Sequence, residues 1–257
     1  MDRREDALEA AEQGVHLYHQ LAADQPAAFN SGVARSLNNL SICLSALGCQ
    51  EEALKVTEQS IQVYRQLAAD QPLVFNSDVA GSLNNLSLYL SDMGCPEEAL
   101  KAIEQSSQVY HQMAADQPAV FNSDLACSLN NLSLRLSDMG RPEEALKAIE
   151  QAVQLYRQLA ANQPAAFNSE VARCLSNLSL QLHDLGHQEE AMKAIEESVQ
   201  VYRQLAADRP AVFNSDVARS LNNLSLRLSD MGHPEEALVS RTDLLAARTR
   251  GFPTGTR

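Results

Sequence analysis

One spacing limits what this chain can become more than any single residue does. Gly48, Gly94, Gly140, Gly186 and Gly232 recur every 46 residues, and the words around them recur in step. Residues 80–125 and 126–171 agree at about three quarters of positions. Self-similarity at a period in the tens of residues marks an array of small supersecondary units, none of which buries its apolar face alone. A chain of 257 residues built this way needs no single core. Near-identical units also argue against a unique catalytic centre.

The unit reads as helix, tight turn, helix. Leu129, Leu132, Ser133 and Leu136 lie at offsets that place them on one helical face. Gly140 closes that helix, because glycine takes the left-handed conformation of a C-terminal cap without steric cost. Pro142 suits the first turn of the next helix, where a missing N–H loses nothing, and Glu143 and Glu144 suit the positive end of its dipole. Ala145, Ile149, Ala152, Val153, Tyr156 and Leu159 then form a broad buried stripe. Tyr18, Tyr64, Tyr110, Tyr156 and Tyr202 repeat in register and read as half-buried packing residues with a wet hydroxyl.

Leu129, Leu132, Ser133, Leu136, Gly140, Ala145, Ile149 and Ala152 fall in the order bulky, bulky, small, bulky, glycine, alanine, bulky, small. That pattern, repeated in every unit, resembles the tetratricopeptide signature. It is similar in particular to the longer repeats of kinesin light chains and of fungal and bacterial signalling proteins. The resemblance runs from about Glu5 to about Leu245. It implies an all-α fold, a right-handed α-solenoid of antiparallel helix pairs wound as a tetratricopeptide-like superhelix. The unit is longer than the familiar one of about 34 residues, and the extra residues are expected to lengthen the second helix and the loop after it.

Taken in order, the chain opens on a half unit over 4–23, whose Glu5-Asp6-Ala7-Leu8 matches the start of a second helix, with its preceding first helix missing. Pro26 is expected to stop it. Units follow at about 31–70, 77–116, 123–162, 169–208 and 215–248, giving a single array over 1–248, about eleven helices, and a disordered tail over 249–257. Each first helix is expected near 31–47 and its equivalents, with Asn30 as N-cap and Phe29 as a hydrophobic staple. Second helices are expected near 50–70, 96–116, 142–162 and 188–208. Lys55, Lys101, Lys147 and Lys193 each follow a glutamate by four residues, which places solvated pairs on an outer face.

Composition narrows the function. A net charge of −13 opposes attraction to DNA, RNA or anionic lipid, so neither nucleic acid nor membrane is an expected partner. Cys43, Cys49, Cys95, Cys127 and Cys174 show no Cys-x-x-Cys spacing and read as free thiols of a reducing compartment. No apolar run approaches spanning length and no signal peptide precedes the first amphipathic helix, so a cytoplasmic protein is expected. His16, His19, His111, His183, His187 and His233 have no recurring carboxylate or cysteine partner, and the glycines are helix stops, not a phosphate-cradling loop. We therefore expect no enzyme, no metal and no cofactor. The Asn-Leu-Ser triplets at Asn39, Asn85, Asn131, Asn177 and Asn223 match a glycosylation pattern, but each lies inside a helix.

Those asparagines are the functional lead. On a helical wheel Cys127, Asn130, Asn131, Leu134 and Asp138 fan over the half opposite the Leu129 face. In tetratricopeptide arrays that half of the first helix lines the concave groove, and related domains hold a peptide backbone or carboxylate at the Asn131 position. The candidate groove is thus Arg35, Asn38, Asn39 and Ile42 in the first unit, then Asn84, Asn85, Leu88 and Asp92. It continues with Asn130, Asn131, Leu134 and Asp138, with Arg173, Asn177, Leu180 and Asp184, and with Arg219, Asn222, Asn223, Leu226 and Asp230. An amide both donates and accepts, which suits an extended peptide backbone; equally, the asparagines could bridge neighbouring first helices as a ladder. The resemblance disfavours a carboxylate-terminated ligand, since no Lys or Arg stands at the Asn130 and Leu134 positions. The expected function is a protein-interaction scaffold that takes a peptide or protein partner in this groove. The alternative is self-association through the array ends, where the first helix exposes Ala7, Ala11, Val15 and Tyr18, or a piece of a larger signalling protein.

Overall fold

A computed structural model describes residues 3–232. Over these the chain forms ten helices and no strand, paired antiparallel in sequence order. They are α1 (Arg3–Asp24), α2 (Pro26–Ala46), α3 (Gln50–Asp70), α4 (Pro72–Asp92), α5 (Pro96–Asp116), α6 (Pro118–Asp138), α7 (Pro142–Asn162), α8 (Pro164–Asp184), α9 (Gln188–Asp208) and α10 (Pro210–Asp230). The expected second helix of the last unit and the tail lie outside the described residues. Two compact units emerge, one up to Met139 and one from Gly140 onward.

The glycine turns behave as the sequence implies. Gly94 holds φ +74, Cys95 N–H donates to the Leu90 carbonyl at 2.9 Å and Gly94 N–H to that of Ser91 at 3.0 Å. This paired closure satisfies carbonyls that a helix end leaves open, and only glycine reaches it without strain.

The other joint differs from expectation. Each first helix begins about five residues before the expected start, at Pro26, Pro72, Pro118, Pro164 and Pro210. The residues read as a loop are its first turn, so the extra length of the unit is shared: the first helix, like the second, runs for 21 residues. Asn30 is therefore no N-cap, and Phe29 no staple. A single residue joins the helices. Gln71 donates its N–H to the Leu67 carbonyl at 2.9 Å and accepts from Phe75 N–H at 3.2 Å, which closes one helix and opens the next. Proline makes this possible: it bars the residue before it from the helical region, as the φ −134 and ψ 67 of Gln71 show, while its own fixed φ suits the first helical position. The phenylalanine packs back across the joint. The Phe75 and Tyr64 rings lie 6.4 Å apart and those of Phe167 and Tyr156 6.3 Å apart.

The cores follow the predicted stripes. In the first unit Ala34, Ile61, Tyr64, Val79, Leu83 and Ala102 form one cluster drawn from four successive helices. In the second, Ala172, Val199, Tyr202, Phe213, Val217 and Leu221 form another, drawn from α8, α9 and α10. Ser60, Ser106 and Ser198, all buried, donate to the carbonyls of Ala34, Ala80 and Ala172 at 2.8, 2.8 and 2.7 Å, pinning each second helix to its own first helix. The tyrosines are more buried than expected. Tyr64, Tyr110, Tyr156 and Tyr202 are shielded from water, and Tyr110 and Tyr202 give their hydroxyl hydrogens to the carbonyls of Ser77 and Ser169 at 3.3 and 3.4 Å.

Candidate peptide-binding face

The first helices present three kinds of group on the side away from the Leu129 stripe. Amides form the first. Asn85 Nδ2 donates to Asn38 Oδ1 at 3.3 Å, and Asn131 Nδ2 to Asn84 Oδ1 at 3.0 Å, so α2, α4 and α6 are linked by an amide ladder. Asn130 departs from its expected place. It is fully buried and donates to Asn131 Oδ1 at 3.2 Å. A helical wheel gives an angle on one helix, and neighbouring helices cover the flanks of that angle. Asn38, Asn84, Asn177 and Asn223 are half-buried, while Asn39 and Asn222 are exposed.

Apolar side chains come second. Ile42, Leu88, Leu180 and Leu226 stand exposed at one repeated position, and Leu134 is half-buried there. Acids at the C-terminal end come third: Asp92, Asp138, Asp184 and Asp230 are all exposed. Their charge is partly met. Arg135 pairs with Asp138 and Arg227 with Asp230, each at 3.4 Å, Gln50 donates to Asp92 at 3.3 Å, and His183 lies 3.6 Å from Asp230.

A further set escaped the sequence reading. Asp78, Asp124, Glu170 and Asp216 occupy one register position, three residues before Gly81, Cys127, Arg173 and Arg219. They gather with Arg35, Arg173 and Arg219 around the tyrosine hydroxyls. Burial pushes the Tyr64 hydroxyl up to about 12; the charge of Asp78 adds to this, Arg35 opposes it, and Asp78 also hydrogen-bonds the hydroxyl. At Tyr202, again about 12, burial leads, Asp216 and Glu170 add, and Arg219 and Arg173 oppose. Burial also raises the carboxyls of Asp78 and Asp124 above the usual carboxylate range. Acid and arginine at i,i+3 was a signal present in the sequence. It was hidden because Tyr was read as packing and Arg as groove, each alone.

A shallow cleft also recurs away from these groups. Ile61, Leu83 and Leu86 floor it between α3 and α4, with Glu58 and Arg65 at its edge, and equivalents lie between α7 and α8 and between α9 and α10. Its recurrence makes it a product of helix packing. Among the described residues no group of three or more His, Cys, Asp or Glu is placed to hold a metal ion, and no helix is long and apolar enough to cross a membrane. The five cysteines form no disulfide.

These features define a helical-repeat protein with an amide-and-leucine face. Tetratricopeptide repeat models match residues 78–158 and residues 33–72, 171–209 and 217–240. The chain belongs to the tetratricopeptide repeat family. Its fold is similar to that of BtubC (BKLC) from P. vanneervenii, at a TM-score of 0.75 and 16% identity, over 100% of this chain and 96% of that one. It also resembles a putative kinesin light chain of Podosopora anserina with nearly identical repeats, at 0.65 and 19% identity over 86% and 96%. YrrB, a tetratricopeptide repeat protein with an unusual peptide-binding site, aligns at 0.51 and 14% identity over 90% and 92%. No curated protein matches the chain.

Proposed function

We propose that this protein is an interaction scaffold whose first helices receive a peptide segment of a partner protein. Membership of the tetratricopeptide repeat family supports a protein-interaction role in general. The observation that carries the finer reading is the repeated exposed apolar residue beside half-buried amides, Ile42 and Leu88 in the first compact unit and Leu180 and Leu226 in the second. Exposed leucines in register offer anchors, and amides offer both halves of a backbone hydrogen bond. The acidic ends of the first helices favour a ligand with some basic character. Leu88→Ala combined with Leu134→Ala should weaken a peptide selected by display by roughly 1 to 2 kcal/mol if these are hot spots, whereas Lys101→Ala on an outer face should leave it unchanged. Equal binding by both would remove this face from the function.

A second reading is self-association. None of the α1 residues is buried, and Leu17 and Leu21 are exposed there. Ala7 is exposed, while its equivalent Ala53 is fully covered. Light scattering over a concentration series tests it, and a monomer throughout sets it aside.

A further inference from the structure

The second compact unit bears its own share of the face. Leu180 of α8 and Leu226 of α10 stand 39% and 43% exposed at one register position, and Asn177 and Asn223 are half-buried three residues before them. His183 lies 3.6 Å from Asp230, so the C-terminal ends of α8 and α10 adjoin, and Asp184 and Asp230 give that end exposed carboxylates. A surface of this kind calls for an apolar side chain flanked by cations on an extended backbone.

The chain carries such a stretch itself. Residues 248–257 read Arg-Thr-Arg-Gly-Phe-Pro-Thr-Gly-Thr-Arg, with three arginines and no acid, so a total charge of −13 leaves −16 on all the other residues. No other ten consecutive residues carry three net positive charges. Phe252 is also the one phenylalanine outside the register of Phe29, Phe75, Phe121, Phe167 and Phe213, so repeat packing does not account for it. Gly251, Pro253 and Gly255 disfavour a helix, and the stretch reads as an extended peptide. Ten extended residues span about 33 Å, close to the roughly 31 Å of a helix of 21 residues such as α10. We propose that residues 248–257 occupy this face of the second unit in their own chain, with Phe252 between Leu180 and Leu226 and the arginines toward Asp184 and Asp230. The segment is then a built-in competitor that an incoming peptide must displace. Only fifteen residues separate Gly232 from Arg248, a tether that holds the segment at an effective concentration on the order of 1 mM. The inference rests on the peptide-binding reading of the first helices.

The test uses full chains and a fluorescein-labelled peptide of residues 248–257. A variant with Arg248→Ala, Arg250→Ala and Phe252→Ala should bind that peptide about tenfold more tightly than wild type, with unchanged circular dichroism. Tenfold is roughly the ratio of a 1 mM effective concentration to a dissociation constant of about 0.1 mM. Adding Leu180→Ala and Leu226→Ala to the variant should remove the gain, and raised salt should weaken the binding. Equal binding by wild type and variant, or a gain that survives the two leucine changes, overturns the inference. Light scattering that shows wild-type dimers absent from the variant puts the segment on a second copy and overturns it as well. If the peptide binds neither protein while a display-selected peptide is weakened by Leu180→Ala with Leu226→Ala, the binding face stands and this occupant falls. If that pair leaves the selected peptide unaffected too, the face in this unit falls and the occupant with it.

Discussion

Position by position, the array tolerates the loss of single contacts because its sisters show the alternatives. Ser106 is buried and bonded to the Ala80 carbonyl, yet its counterpart in the following unit is Ala152, itself fully buried. Ser106 Oγ also accepts from the buried Ser128 hydroxyl at 3.4 Å, so Ser106→Ala should cost about 1 to 2 kcal/mol, the net worth of two intramolecular hydrogen bonds. Urea unfolding with an unchanged slope would measure it. Asp124 works in the opposite direction. Burial raises its carboxyl above the ordinary range, so its folded proton affinity exceeds the unfolded one. Stability linked to this group is then complete below the unfolded carboxylate pKa and lost as pH rises through the folded value, which makes the ionised group a cost at neutral pH. Asp124→Asn should stabilise the protein at pH 7 by less than about 1 kcal/mol, since solvent screens an exposed carboxylate. At pH 3 the two proteins should unfold alike.

The helices show where the sequence could be read and where it could not. Second-helix bounds, glycine stops and the buried stripe from Ala145 to Tyr156 all follow from periodicity and cap chemistry, and the structure has them. The joint before each first helix was misread because proline serves two roles, and a break was inferred where Pro72 both ends α3 and starts α4. The ladder from Asn38 to Asn85 is one of the two readings the asparagines allow, whereas the burial of Asn130 was out of reach for another reason: it depends on where the neighbouring helix lies, which no single-helix wheel contains. The glycine turn can be tested in isolation. A Cβ on Gly94 would meet nothing within 4 Å, so Gly94→Ala should cost only the backbone strain of φ +74, about 1 to 2 kcal/mol. The same change at Gly14, an ordinary helical position that also has open space, should stabilise by up to about 1 kcal/mol. Thermal unfolding of the pair separates conformational strain from contact.

At the scale of the entire chain, stability in a repeat array is a sum over neighbours, and the described residues divide into two compact units with separate cores. The first holds the cluster around Ile61, Tyr64 and Leu83, together with a second around Leu40, Leu44 and Tyr89. In the other unit the cluster around Val199, Tyr202 and Leu221 draws on α8, α9 and α10. Hydrogen bonds such as Asn131 to Asn84 and Ser106 to Ala80 close inside the first unit, and Ser198 to Ala172 and Arg157 to Glu197 inside the second. Each unit thus contains what nearest-neighbour coupling requires. Residues 1–139 and 140–257 expressed separately should both show helical circular dichroism and cooperative urea unfolding. Their slopes should each be roughly half that of the full chain, because the slope follows the surface exposed on unfolding. Loss of all helical signal from either piece would mean that the array folds as one indivisible body, and the additive view of its stability would fail.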